Sequence, residues 1–182
     1  QNSRQGTGIE GLDTLLGGGL LPGTLTVVVG SAGIGKTQLG LQFLHAGRRQ
    51  EGEGGIVFDM SSRGDSQNHA DYARRLFGWE LDAIAPEPHV PLDGFFAPQR
   101  RHGDYLHVFD RAGRRVSRRD LDFDAQLDWK AELTRRLHCS IAFFYGNFVR
   151  GVRRALIDGI EPVDRPSDSI QLELFEYVYH QI

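Results

Sequence analysis

Cysteine is almost absent. Cys139 is the only one in 182 residues, so no disulfide can form within the chain, and a reducing cytoplasm is the expected compartment. Lysine is nearly as scarce: Lys36 and Lys130 are the only two, the other basic residues being arginine, and Lys36 stands out for it. No apolar run approaches the roughly 20 residues that a membrane-spanning helix needs, and no signal-peptide pattern opens the chain, so no membrane partner is expected. A net charge of −3 gives no global attraction to nucleic acid or to an anionic bilayer. The seven histidines show no metal-ligand spacing, and no nucleophile–base pair is legible. What remains, 40% hydrophobic and 25% charged residues, describes an ordinary globular chain long enough for one substantial core.

Strand-like and helix-like segments alternate along it. Leu25–Val29 is a short β-branched run expected to be a strand, ending at a glycine-rich turn. A helix is expected from Thr37 to about Arg49, with Leu41, Leu44 and His45 at helical spacing, and Gly52–Gly55 ends it. Ile56–Met60 reads as a second strand, and Asp65 to about Phe77 as a helix with Tyr72, Leu76 and Phe77 on one side. Residues 79–103 are proline-rich and polar and read as an irregular excursion, extending to about residue 120. Tyr105–Phe109 is the next expected strand, with a turn and a short return strand through Val116. Phe123 to about Val149 reads as a long helix with Leu137, Ile141, Phe144 and Phe148 on one stripe. Arg154–Asp158 is a further strand and Ser167–Ile182 a further helix. The alternation predicts an α/β fold around a mainly parallel sheet, in one domain spanning 1–182.

GSAGIGKT, Gly30–Thr37, fits the G-x-x-x-x-G-K-[ST] pattern at every fixed position, after an expected strand and at the start of an expected helix. Glycines let the backbone curl so that successive N–H groups face phosphate oxygens, and the helix dipole favours the same charge. The expected nucleotide-contacting residues are Gly30, Ser31, Ala32, Gly33, Ile34, Gly35, Lys36, Thr37 and Gln38, with Lys36 reaching the β- and γ-phosphates. The Thr37 hydroxyl suits Mg²⁺, and Asp158, ending the apolar ALIDG strand, suits a Mg²⁺-bound water. The expected ligands are therefore ATP or ADP with Mg²⁺.

TGIEGLDTLLGGGLLPGTLTVVVGSAGIGKTQLGLQF, Thr7–Phe43, resembles the opening of the RecA-like ATPases of the KaiC and RadA group. EGGIVFDMSSRGDSQNHADYARRLFGWEL and RRALIDGIEP resemble that family's next strand and helix and its acid-bearing strand. The resemblance implies a three-layer RecA-like P-loop NTPase fold assembled as a homo-oligomeric ring or filament. It also implies that further strands would follow Ile182, so that the chain reads as the N-terminal part of its domain.

One departure bears on chemistry. Family members carry a glutamate just past the second strand that polarises the attacking water, and both ways of aligning this chain put Ser61 there, with Ser62 beside it. A serine is no useful base near neutral pH, so hydrolysis is expected to be slow unless another acid substitutes. Asp59, Asp65 and Glu161 are the local carboxylates. Asp59 has the best position, and side-chain alternation puts it on the face of Ser61 if the strand stays regular. Asp65 reads as a helix N-cap and Glu161 as a loop carboxylate. Lys36, Asp59 and Ser61 are thus the candidate catalytic residues. The expected function is a slow, regulatory Mg·ATPase, with a non-hydrolysing ATP sensor and a DNA-repair ATPase as alternatives. The arginines of Arg111–Arg119, which could meet nucleic acid or an acidic protein partner, read as a solvated hairpin.

Overall fold

The computed structural model describes residues 3–61, 68–84, 103–109, 122–160 and 169–181. Its elements run α1 (Glu10–Leu15), α2 (Lys36–Gln50), β1 (Ile56–Asp59), α3 (His69–Phe77), β2 (Ala83–Ile84), β3 (Tyr105–His107), α4 (Phe123–Phe148), β4 (Ala155–Asp158) and α5 (Ile170–Gln181). Two compact units divide them. The first holds Gln1–Ile56, Gln67–Leu81 and Arg150–Leu156, and the second Val57–Ser66, Asp82–Val149 and Ile157–Ile182.

In the first unit, α2 buries Leu41 and Leu44 completely, as their helical spacing predicts. Its C-terminal half meets the end of α3 and the residues after it, where His45 stacks on Phe77 at 4.7 Å and Arg48 lies over the Trp79 ring at 5.0 Å. Trp79, at 1% exposure, is the largest side chain of this core; burying such residues stabilises by roughly 1.5–3 kcal/mol each. α3 begins later than the Asp65 start expected from sequence. Asn68 is its N-cap, accepting from Asp71 N at 3.0 Å, while Asp65 lies outside the described residues. The buried side of α3 is His69 and Ala73, and Leu76, expected on one side with Tyr72 and Phe77, is half exposed.

The second unit is built on a parallel sheet in the order β2–β3–β1–β4. Val57, Phe58 and Asp59 pair with Tyr105, Leu106 and His107, and Ala83 and Ile84 with Tyr105 and Leu106. Met60 N donates to Asp158 O just past β1, in the sense that a parallel β1–β4 pair requires. All four residues of β1 are buried, so its run of apolar residues is a core strand covered on both faces. Phe58 meets Phe143 edge to face at 5.2 Å, and Phe109 stacks on Trp129 at 6.3 Å, which packs α4 against the sheet. The buried line of α4 runs through Cys139, Ser140, Phe143 and Asn147, so the expected stripe of Leu137, Ile141, Phe144 and Phe148 is rotated away from the deepest packing.

Leu25–Val29 differs from expectation more. It forms no paired strand, and Leu25, Val27, Val28 and Val29 are 52%, 71%, 49% and 89% exposed. β-branched residues favour extended backbone, but a strand exists only where a neighbour satisfies its N–H and C=O groups, and no described segment pairs with this one. The return strand through Val116 and the Arg111–Arg119 hairpin lie outside the described residues, as do 85–102 of the proline-rich excursion. Within the described part of that excursion, Ala83–Ile84 is a strand. No described helix is long and apolar enough to cross a membrane.

Candidate functional site

The glycine loop of the first unit runs exposed from Gly30 to Ile34 and turns into α2, a 15-residue helix beginning at Lys36. Gly33 and Gly35 sit at φ of 78° and 97°, a region that residues with a Cβ rarely enter. Gly35 is the N-cap of α2 and has no side chain to cap it, which suits a helix start meant for an anion. Lys36 Nζ donates to Gly30 O and Ser31 O, both at 2.7 Å, so the ammonium is folded over the mouth of its own loop. Thr37 is buried at 8% exposure, whereas Gln38 faces solvent.

Two side-chain networks in this unit hold α2 and the segment before it. Asp13 Oδ1 accepts from Thr7 N at 2.6 Å and from Thr7 Oγ1 at 2.8 Å, tying α1 back to the strap that precedes it. These hydrogen bonds, the Thr7 N–H first, hold the Asp13 carboxyl below the usual carboxylate range, against the opposing pull of burial. Arg154 is the deeper anchor. Its side chain is fully buried, with Nε donating to Glu51 Oε2 at 2.9 Å and Nη2 to Glu51 Oε1 at 2.8 Å and Gln50 Oε1 at 2.6 Å. Nη1 donates to Gly6 O and Phe43 O, both at 2.7 Å, and the guanidinium lies 4.6 Å from the Phe43 ring centroid. An always-charged, forked donor is needed to satisfy so many acceptors at once.

The second unit carries the polar cluster around Ser61. Asp59 is 0% exposed, and its Oδ1 accepts from Ser61 N at 2.9 Å and from Ser61 Oγ at 2.6 Å. Its Oδ2 accepts from the Tyr105 hydroxyl at 2.5 Å. His107 Nε2 lies 2.8 Å from Ser61 O; a carbonyl can only accept, so Nε2 carries the proton and donates. The same nitrogen passes 3.4 Å from Ser61 Oγ. Gly159 comes so close that a Cβ there would stand 2.7 Å from Ser61 N and 3.1 Å from Asp59 Oδ1, so the glycine after Asp158 is required by this cluster. Gln171 of α5 closes it from below, donating to Met60 O.

β1 ends at Asp59 and Ser61 lies just past it, so the two side chains meet through a turn-like contact rather than along a continuing strand, and the β1–β3 register brings Tyr105 and His107 to them. Tyr105, His107 and Gln171 are the members that sequence reasoning missed. Tyr105 and His107 are 46 residues from their partners in the chain, and the usable signal was their spacing of two in an expected strand. Asp158 ends β4 as expected. Ser62, Asp65 and Glu161 lie outside the described residues, and no cluster of three metal-ligating side chains occurs among the described ones.

A glycine loop opening a helix, in a chain with a parallel β-sheet and helices following its strands, defines an α/β domain of the RecA-like P-loop class. The family model described as "ATPase: KaiC" matches residues 5–106, more than half of the chain, and the chain belongs to that family. The circadian clock protein KaiC2 of Synechocystis sp. is 37% identical over 92 residues, covering 50% of this chain and 15% of the relative. The circadian clock oscillator protein KaiC of Prochlorococcus marinus (strain MIT 9313) is 40% identical over 110 residues, 59% of this chain and 21% of the relative. That of Picosynechococcus sp. is 40% identical over 81 residues, 43% and 15% of the two chains. The chain thus spans about a fifth or less of the length of these relatives. No solved structure gives a significant match.

Proposed function

We propose that this chain is a Mg·ATP-binding module of the KaiC type that hydrolyses its nucleotide slowly and uses occupancy as a regulatory signal. The observation that carries the reading is the complete glycine loop Gly30–Thr37 at the head of α2, inside the stretch that matches the KaiC family. The residues fit the ligand. Two positive-φ glycines curl the loop, Lys36 supplies the cation, and Thr37 and Asp158 supply oxygen donors of the kind that Mg²⁺ prefers. Gly30, Ser31, Ala32, Gly33, Ile34, Gly35 and Gln38 would line the phosphates, Lys36 would neutralise them, and Thr37 would hold the metal, which offsets charge on the transferring phosphoryl group; for Asp158 a metal role is what the family resemblance implies. A homo-oligomeric assembly and a regulatory role agree with the family and with the clock proteins among the relatives.

Titration calorimetry with Mg·ATP tests this. Lys36→Ala should weaken binding about 10- to 100-fold, the worth of a charge-assisted hydrogen bond of roughly 1.5–3 kcal/mol. Thr37→Ala and Asp158→Asn should weaken Mg·ATP but not metal-free ATP. Equal affinity for wild type and Lys36→Ala would remove the loop from the site. A second reading, a sensor that binds ATP without hydrolysing it, is favoured by one observation: Ser61 stands where the family resemblance places a glutamate.

A further inference from the structure

Leu25–Val29 runs toward the glycine loop, yet none of its N–H or C=O groups is hydrogen-bonded among the described residues. It is held at both ends, by the Pro22–Gly23 turn, with Gly23 at a φ of 72°, and by Gly30, whose carbonyl accepts from Lys36 Nζ. Leu25, Val27 and Val29 alternate with Thr26 and Val28, and all five are exposed, Val29 by 89% and Val27 by 71%. Soluble proteins blunt an open edge of this kind with a charge, a proline or a bulge. Between Leu25 and Val29 there is neither charge nor proline.

Such an edge specifies its partner. Open backbone groups at a strand repeat call for another extended strand, and uncharged β-branched side chains call for one of like composition. The chain itself offers it: Leu25–Val29 is the longest apolar run outside helix and sheet among the described residues, β1 being buried and β2, β3 and β4 lying in the parallel sheet. We propose that this segment is the docking edge for a second copy of the chain, the two strands running antiparallel about a two-fold axis at Val27. In that register Val27 faces its own counterpart, Thr26 faces Val28 and Leu25 faces Val29, so β-branched or apolar side chains meet at every position. Ladder hydrogen bonds replace water on the backbone groups. The five residues of two copies expose at most about 1,000 Å² together, below the roughly 1,200–2,000 Å² of a standard interface, so the pair forms at about 10–100 µM rather than at nanomolar concentration. No nucleotide takes part, which separates this contact from any assembly that follows ATP binding.

Sedimentation equilibrium without nucleotide, over about 1–500 µM chain, should show wild type passing from monomer to dimer. Val27→Lys, which sets two ammonium groups against each other across the axis, and Val27→Pro, which removes an N–H, should each weaken the dimer at least about 10-fold. Residue 27 is exposed in the monomer, so both variants should keep the wild-type urea midpoint at low concentration. Oxidation then reads the register. Val27→Cys should form a disulfide-linked dimer, because directly opposed Cα atoms lie about 4.5–5.5 Å apart, whereas Leu25→Cys, four residues out of step with its counterpart, should not. Wild type, whose Cys139 is buried, is the control. A wild type that stays monomeric throughout, or a dimer that both Val27 variants leave intact, overturns the proposal. So does association that needs Mg·ATP, growth beyond the dimer, or equal cross-linking through Leu25→Cys.

Discussion

Arg154 offers the sharpest test of what holds the first unit together, because its guanidinium is fully buried and satisfies five acceptor atoms on Glu51, Gln50, Gly6 and Phe43. Arg154→Ala would leave the Glu51 carboxylate, itself only 19% exposed, without its counter-charge. Two backbone carbonyls would lose the same donor, and the Phe43 ring its cation. Surface pairs contribute at most about 1 kcal/mol, but breaking a buried pair from one side costs roughly 3–5 kcal/mol, because the surviving charge stays desolvated. With a urea m-value of about 2 kcal/mol/M for a chain of this size, the unfolding midpoint should fall by about 1.5–2.5 M at unchanged m. Urea unfolding followed by Trp79 and Trp129 fluorescence measures it. A midpoint shift below about 0.5 M, equivalent to roughly 1 kcal/mol, would refute the reasoning and place Arg154 among ordinary surface ion pairs. Arg154→Lys should recover only part of the loss, since an ammonium cannot serve acceptors on several sides in one plane.

Other consequences are smaller. Asn68→Ala should destabilise α3 by about 1 kcal/mol in the same urea assay, the cost of a lost N-cap, and Asn68→Asp should be nearly neutral. Burial, reinforced by Arg48 and Arg49, holds the His45 pKa below its ordinary 6.5, so the unfolded state binds more protons. Stability from this group is present at neutral pH and declines as pH falls below about 6.5; unfolding midpoints between pH 5 and 7.5 should lose part of their slope in His45→Phe. Asp13, also depressed, stabilises above the ordinary 3.8 and loses that contribution as pH falls through its lower folded value, so Asp13→Asn should flatten the acid limb measured below pH 4. Ser61→Glu should raise ATP turnover in a phosphate-release assay if the glutamate that the family resemblance implies falls at this position; an unchanged rate would argue against that placement.

How much of this was legible in the sequence depends on how far each interaction reaches along the chain. α2 and β1 were readable almost to the residue, because glycine punctuation and apolar runs are local signals. The start of α3 was placed too early because Asn68 is itself a capping residue, and it accepts from the N–H three residues on. Leu25–Val29 failed differently: its composition is that of a strand, yet strand formation is a property of pairs. The stripe on α4 was misplaced because a helix apolar on most sides carries little information about which side is deepest. The Asp59–Ser61 half of the cluster joins residues two apart in sequence, which were singled out by the family resemblance and by an alternation that required β1 to continue, whereas it ends at Asp59. Its Tyr105, His107 and Gln171 half depends on parallel register and helix docking, which no local pattern encodes.

The central claim, that this chain binds Mg·ATP and turns it over slowly, is tested most directly by a single-turnover experiment with protein in excess over labelled Mg·ATP. Bound and hydrolysed nucleotide would be read from the same time course. The account predicts saturable, magnesium-dependent binding followed by ADP formation that is slow but above the protein-free background, and absent in Lys36→Ala. Label that neither binds nor is hydrolysed would contradict it.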